Sequence, residues 1–296
     1  MLWFGKRTAS PAVPVAAAQV VPLELPVPLD PALFQRHFDA LLAGAAHDGG
    51  IESYIAALAA KRQAFAAACA RAKSVALQLD DVAELLALVF TARRKLYPAM
   101  AELGAAHVAE LMAGLWFGEQ PPGERLQRFV DAMPGAVTGD RASIRAAAKL
   151  RRATWDFAAE LLHYPDTERY PLMTRWVWDQ GTQSGALREF VRGGDAMREV
   201  PFSNDPALFE GARRWLVTQL AAQGIYRDEA LWIDLVQAQA YLAYFRSMTE
   251  GSLGADFGRG VPPQEQLKRL LGIDAAPGIR LDRVKKPVAA VHAGTH

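Results

Sequence analysis

This 296-residue chain has one cysteine, six histidines and no excess of charge of either sign. The lone Cys69 excludes an intramolecular disulfide framework and any multi-cysteine zinc or iron–sulfur site, which suits a reducing compartment. With 33 Lys and Arg against 32 Asp and Glu, the formal charge is +1, so a dedicated nucleic-acid binder is not favoured. Long apolar runs are missing too: the best stretch, Val82 to Phe90, is short and contains Glu84, so no transmembrane segment is expected. At the start, Leu2, Trp3 and Phe4 precede Lys6 and Arg7, and Pro11, Pro14 and Pro22 interrupt the apolar residues beyond; a secretory leader has the opposite order, so the expected location is cytoplasmic. Runs of alternating β-branched residues are also lacking, which leaves strands at most a minor part.

What is present is helical patterning. The hydrophobic fraction of 51% excludes wholesale disorder, although residues 8–29 are mostly Ala, Val, Pro and Leu, a composition that favours extended backbone. The expected organisation is therefore a linker over 1–29, an all-α bundle of about ten helices over 30–273, and a loose tail over 274–296. Within the bundle, sub-lobes 30–133 and 140–273 are expected to meet at the loop Pro134–Gly139. Asp30 and Pro31 form a natural helix start, with Leu33, Phe34, Phe38, Leu41 and Leu42 at helical spacing up to Gly44. Further helices are predicted over 51–79, 80–97, 101–117, 124–133, 140–163, 167–178, 185–191, 206–223, 228–248 and 264–271. The word Asp-Pro-Ala-Leu-Phe occurs at both 30–34 and 205–209. Either a duplicated half or independent selection of the same helix-start chemistry explains it.

Several constellations invite a chemical reading. Glu160 and His163 have the Glu-x-x-His spacing found in di-iron helix bundles, but the nearest second pair, His107 and Glu110, is in reversed order. Asp80 and Asp81 are similar to the magnesium-holding acids of all-helical prenyl-transferring enzymes. The second acidic cluster is absent, since the late helix offers Asp234 alone, and acids are favoured at a helix start anyway. The glycines of 251–260 suit either an anion cradle or a connection. Arg141, Arg145, Lys149 and Arg152 recur at four, four and three, which makes one basic stripe that is either a solvated face or an anion-binding surface.

Trp176 and Trp178 are two apart, so on a helix they point in different directions, one to the core and one to a groove or partner, with Arg175 and Asp179 paired outside. On the most apolar helix, Asp234, Gln237, Tyr241 and Tyr244 make one polar stripe. It lines a buried pocket if it faces inward and is the wet face if it does not.

No cluster reads as a nucleophile, a cofactor cradle or a metal site, so no cofactor is expected. The chain reads as a non-catalytic accessory, adaptor or assembly factor with a protein partner. The expected contacts are Trp3 and Phe4, at the end of a linker that spans about 60 Å when extended, together with Arg175, Trp176 and Trp178. Weak interfacial membrane contact is expected at the N-terminus. Two alternatives stand beside it: a helical-bundle enzyme built on Glu160 and His163 or on Asp234 and Tyr241, and an RNA or nucleotide binder that uses the stripe from Arg141 to Arg152.

Overall fold

A computed structural model of the chain describes residues 25–134, 139–249, 261–274 and 284. Among these the protein is all-helical, with ten α-helices and one 3₁₀ turn. The helices are α1 (Pro31–Ala46), α2 (Ile51–Ala72), α3 (Leu79–Ala87), α4 (Leu96–Leu103), α5 (Ala105–Phe117), α6 (Pro122–Asp131), α7 (Arg141–His163), α8 (Pro206–Ala222), α9 (Glu229–Thr249) and α10 (Pro263–Leu271). The 3₁₀ turn spans Ala186–Phe190. The expected aromatic tip, Trp3 and Phe4, the glycines of 251–260 and most of the expected tail lie outside the described residues.

The starts of these helices follow from their caps. Asp30 accepts from the Ala32 amide at 2.9 Å, Pro31 fills the first helical position, and Phe34, Phe38, Leu41 and Ala45 form the buried edge of α1. The second copy of the same word, at Asp205, starts α8 without a side-chain cap, because its carboxylate does not reach the helix amides. Asp140 caps α7 by accepting from Ser143 at 2.8 Å. Asp81 is the third residue of α3 and accepts from the Gln78 amide at 2.7 Å, so the paired acids are a helix-start device.

Three predicted elements differ from the structure. The helix expected over 51–79 ends at Ala72, where Ser74 folds back onto the Arg71 carbonyl and Gln78 begins α3. The segment expected to be helical from Asp80 to Tyr97 breaks after Ala87 into turns before α4, and Gly104, at φ 84°, separates α4 from α5. The stretch 167–178 is a series of turns instead of a helix. Pro171 disfavours helix in the residue before it, and the Asp156 carboxylate takes the Arg175 amide at 2.8 Å, which diverts it from a helical carbonyl.

α9 runs through the middle, apolar on most sides, and packs against α1, α2, α8, α10 and the 3₁₀ turn. Helices α4, α5 and α6 pack against α7. One hydrophobic cluster joins the two neighbourhoods, from Leu29 and Phe34 through Phe157 and Trp178 to Leu271. At the end of α10, Gly272 adopts φ 69° with its backbone pressed on the Leu88 carbonyl, so that a Cβ there would run into that oxygen. Gly272→Ala should therefore destabilise the fold by about 2–4 kcal/mol in urea melts, the sum of left-handed strain and a backbone clash. An unchanged midpoint would show that α10 does not dock on Leu88 in this way.

Candidate functional site

Two polar features meet on α7. Lys149, Arg152, Asp156, Glu160 and His163 follow one another at three, four, four and three, so they form one face of the helix. The outer end of that face lines a cavity and the inner end is buried.

The inner end is a quartet of charges. Lys61 of α2 lies 2.6 Å from Glu160 and donates to the Leu271 carbonyl at 2.7 Å, with its ammonium 4.5 Å from the centre of the Tyr164 ring. At this separation the ammonium and the Glu160 carboxylate make a close, charge-assisted contact. His163 donates from Nδ1 to the Tyr170 carbonyl at 2.7 Å and from Nε2 to Asp234 of α9 at 3.2 Å. All four side chains are buried. Burial acts to lower the His163 pKa, but the charge and hydrogen bond of Asp234 and the Tyr170 carbonyl outweigh it, and the imidazolium is favoured. Burial pushes Glu160 up to about 7 despite Lys61. When Glu160 is ionised, two cations face two carboxylates and the charges balance.

Both members of the Glu-x-x-His pair face charged partners. Glu160 and His163 do share a face, but an ammonium occupies one and a carboxylate the other. Among the described residues no group of three or more His, Cys, Asp and Glu is placed to hold a metal ion. His107 and Glu110 pair with each other on the exposed side of α5. The stripe on α9 faces inward: Asp234 and Gln237 are buried and Tyr241 is half-buried. With Asp234 opposite His163 and Tyr241 within reach of the Asp156 charge, α9 runs antiparallel to α7, with a polar seam between them.

The outer end of the α7 face opens into a cavity of about 740 Å³. Its wall is drawn from four segments. The α3–α4 connection supplies Phe90, Thr91, Arg93, Arg94 and Lys95, and α7 supplies Lys149, Arg152 and Asp156. Arg175 comes from the turns after α7, while Gln266, Arg269 and Asp274 come from α10 and its end. Seven cations thus face two carboxylates. Arg93 lies 3.4 Å from Asp274 and 4.8 Å from the Phe90 ring centre, and Arg175 is paired with Asp179. Arg94, Lys95, Lys149, Arg152 and Arg269 have no carboxylate partner among the described residues. At the floor, Asp156 is pushed up to about 6 by burial, which the Arg175 amide and charge only partly offset.

The stripe from Arg141 to Arg152 therefore divides. All four are exposed, but Arg141 and Arg145 lie on the far turns of α7, whereas Lys149 and Arg152 line the cavity. Trp176 and Trp178 are both buried, which corrects the expected exposed tryptophan. Because the segment is a turn and not a helix, the two indoles reach different neighbours, Tyr241 for Trp176 and Phe202 for Trp178. Sequence reasoning missed Lys61, Arg93, Arg94, Lys95, Asp156 and Arg269. For Lys61 a signal existed: it falls in the series Tyr54, Leu58, Lys61, Phe65 and Ala68, the apolar edge of α2, where a lone cation requires a buried counter-charge. Comparison with protein-family models, curated proteins and solved structures finds no match. No helix among the described residues is long and apolar enough to cross a membrane.

Two outcomes are expected of the quartet. Lys61→Met should cost about 3–5 kcal/mol because it leaves Glu160 buried and unpaired, and the double variant with Glu160→Met should recover most of that loss. Urea melts of the three proteins check this, and an undiminished loss in the double variant would contradict it. The second concerns pH. Raised pKa values at Glu160 and His163 mean that the native state holds more protons than the unfolded chain above pH 6.5, so stability declines as pH rises from there. His37, lowered to about 4 by burial, acts in the opposite sense but only below its ordinary value of 6.5. The melting temperature should fall between pH 6.5 and 8, with a shallower slope in Glu160→Gln. A rise over that window would contradict the assignment.

Proposed function

We propose that the protein binds a small phosphate-bearing ligand in the cavity beside α7. The observation that carries this reading is the convergence on one concave space of five cations, Arg94, Lys95, Lys149, Arg152 and Arg269, that have no carboxylate partner among the described residues. Like charges gathered around a concave, partly low-dielectric wall repel one another and focus a positive potential. A multiply charged anion relieves that repulsion, and arginine forks suit phosphate oxygens. A volume of about 740 Å³ suits a metabolite-sized ligand.

This reading favours a compact anion over an RNA strand laid along the helix. Arg141 stands eleven residues from Arg152, about 16 Å along α7, which is about twice the screening length at physiological salt. The cations that join Lys149 and Arg152 come from the α3–α4 connection and α10, so the positive charge gathers around the cavity instead of extending along the stripe.

Calorimetric titration with inorganic diphosphate tests the proposal. Binding should weaken with added salt, Arg152→Glu should reduce it by about tenfold or more, and Arg141→Glu should change it by less than about twofold. Equal losses in the two variants would point to an extended polyanion along α7, and an absence of binding would remove the proposal.

A further inference from the structure

The cationic cavity adjoins a second depression, with two lining residues in common. A groove of about 660 Å³ runs between α4 and α7, and Lys95 and Lys149 line both spaces. Its character is different: Pro98 and Ala99 of α4 face Ala146, Ala147 and Leu150 of α7, with Glu102 and Ser143 as the polar residues besides the two lysines. The α7 wall follows from sequence. Positions 143, 146, 147 and 150 lie on one side of the helix, and the first three are Ser, Ala and Ala, so short side chains leave the groove open. The same helix thus offers two adjacent surfaces, one for charge and one for hydrocarbon.

Resting on the cavity reading above, we infer that the ligand is an amphiphile, with a phosphate or diphosphate head in the cavity and an apolar chain passing Lys95 and Lys149 into the α4–α7 groove. The two lysines stand where the head joins the chain, and their aliphatic stems can lie along the hydrocarbon while the ammonium groups turn to the phosphate. The occupant is a single molecule and not a bilayer surface. The apolar groove lies on the protein beside the cations, so head and chain both rest on the protein and the chain does not stay in a bilayer. Partial removal of a methylene from water on an open groove is worth about a twofold gain in affinity, half the free energy of full burial. Chain length is therefore the discriminating variable.

The test uses the full chain and two soluble probes, methyl diphosphate and decyl diphosphate, the latter kept below its micelle threshold. Vesicles of phosphatidylcholine containing phosphatidate form a third arm. Decyl diphosphate should bind at least about tenfold more tightly than methyl diphosphate. Ala147→Trp, which fills the groove at a half-buried position, should abolish that gain and leave methyl diphosphate binding unchanged. Ala146→Trp, at an exposed position on the same wall, repeats the measurement in case the first variant unfolds. Equal affinity for the two probes would overturn the amphiphile inference while leaving the cavity reading intact. A chain-length gain that survives both tryptophans, or association seen with vesicles alone, would also overturn it. Failure of both probes to bind would remove the cavity reading and this inference together.

Discussion

The buried contact between Lys61 and Glu160 is the constraint on which the arrangement of helices depends. A lysine on the apolar edge of α2 cannot be left without a counter-charge, because an isolated ammonium in the core costs far more than any single packing contact returns. Its position fixes Glu160 of α7 beside it and draws the Leu271 carbonyl at the end of α10 to the same point. Glu160 brings His163 one turn later on the same face, and His163 in turn holds Asp234 of α9 and the Tyr170 carbonyl. Four helices and the turns after α7 are thus tied through one quartet, by pairings that specify which face of each helix turns inward.

That orientation of α7 has a consequence at its other end. A helix whose Glu160 and His163 point into the core must, three and four residues at a time, send Asp156 to the boundary and Arg152 and Lys149 to the cavity. The cations of α10 meet them there because Lys61 holds the end of α10, and those of the α3–α4 connection because Gly272 at that end packs on Leu88. Structural and ligand-facing chemistry are therefore two ends of a single helical face. The raised pKa values of Asp156 and Glu160 mark the zone where that face passes from water to the interior.

Much of the fold was legible in the sequence because it is written in local chemistry. Asp30 with Pro31, Asp140 as a cap, and the apolar circumference of 228–248 each announce a helix through contacts within a few residues. The breaks were harder to read. Pro171 was visible, but the capture of the Arg175 amide by Asp156 joins residues on different elements, and it leaves 167–178 as turns with both tryptophans inside. The site was legible only in pieces. Glu160, His163 and Asp234 stood out by spacing and polarity, yet spacing alone suggested a metal where the structure supplies Lys61. Of the cavity cations, only Lys149, Arg152 and Arg175 stood out in the sequence, and Arg93, Arg94, Lys95 and Arg269 join them only once α3, α4 and α10 are docked.

The central claim is that this docking creates one anion site where the basic stripe enters the body of the protein. Crystals soaked with tungstate, a heavy tetrahedral stand-in for phosphate, test it most directly through the anomalous signal of the metal. A peak within the cavity, among Lys149, Arg152 and Arg269, is the result expected. A peak confined to the exposed turns around Arg141 and Arg145, with the cavity empty, would contradict the account.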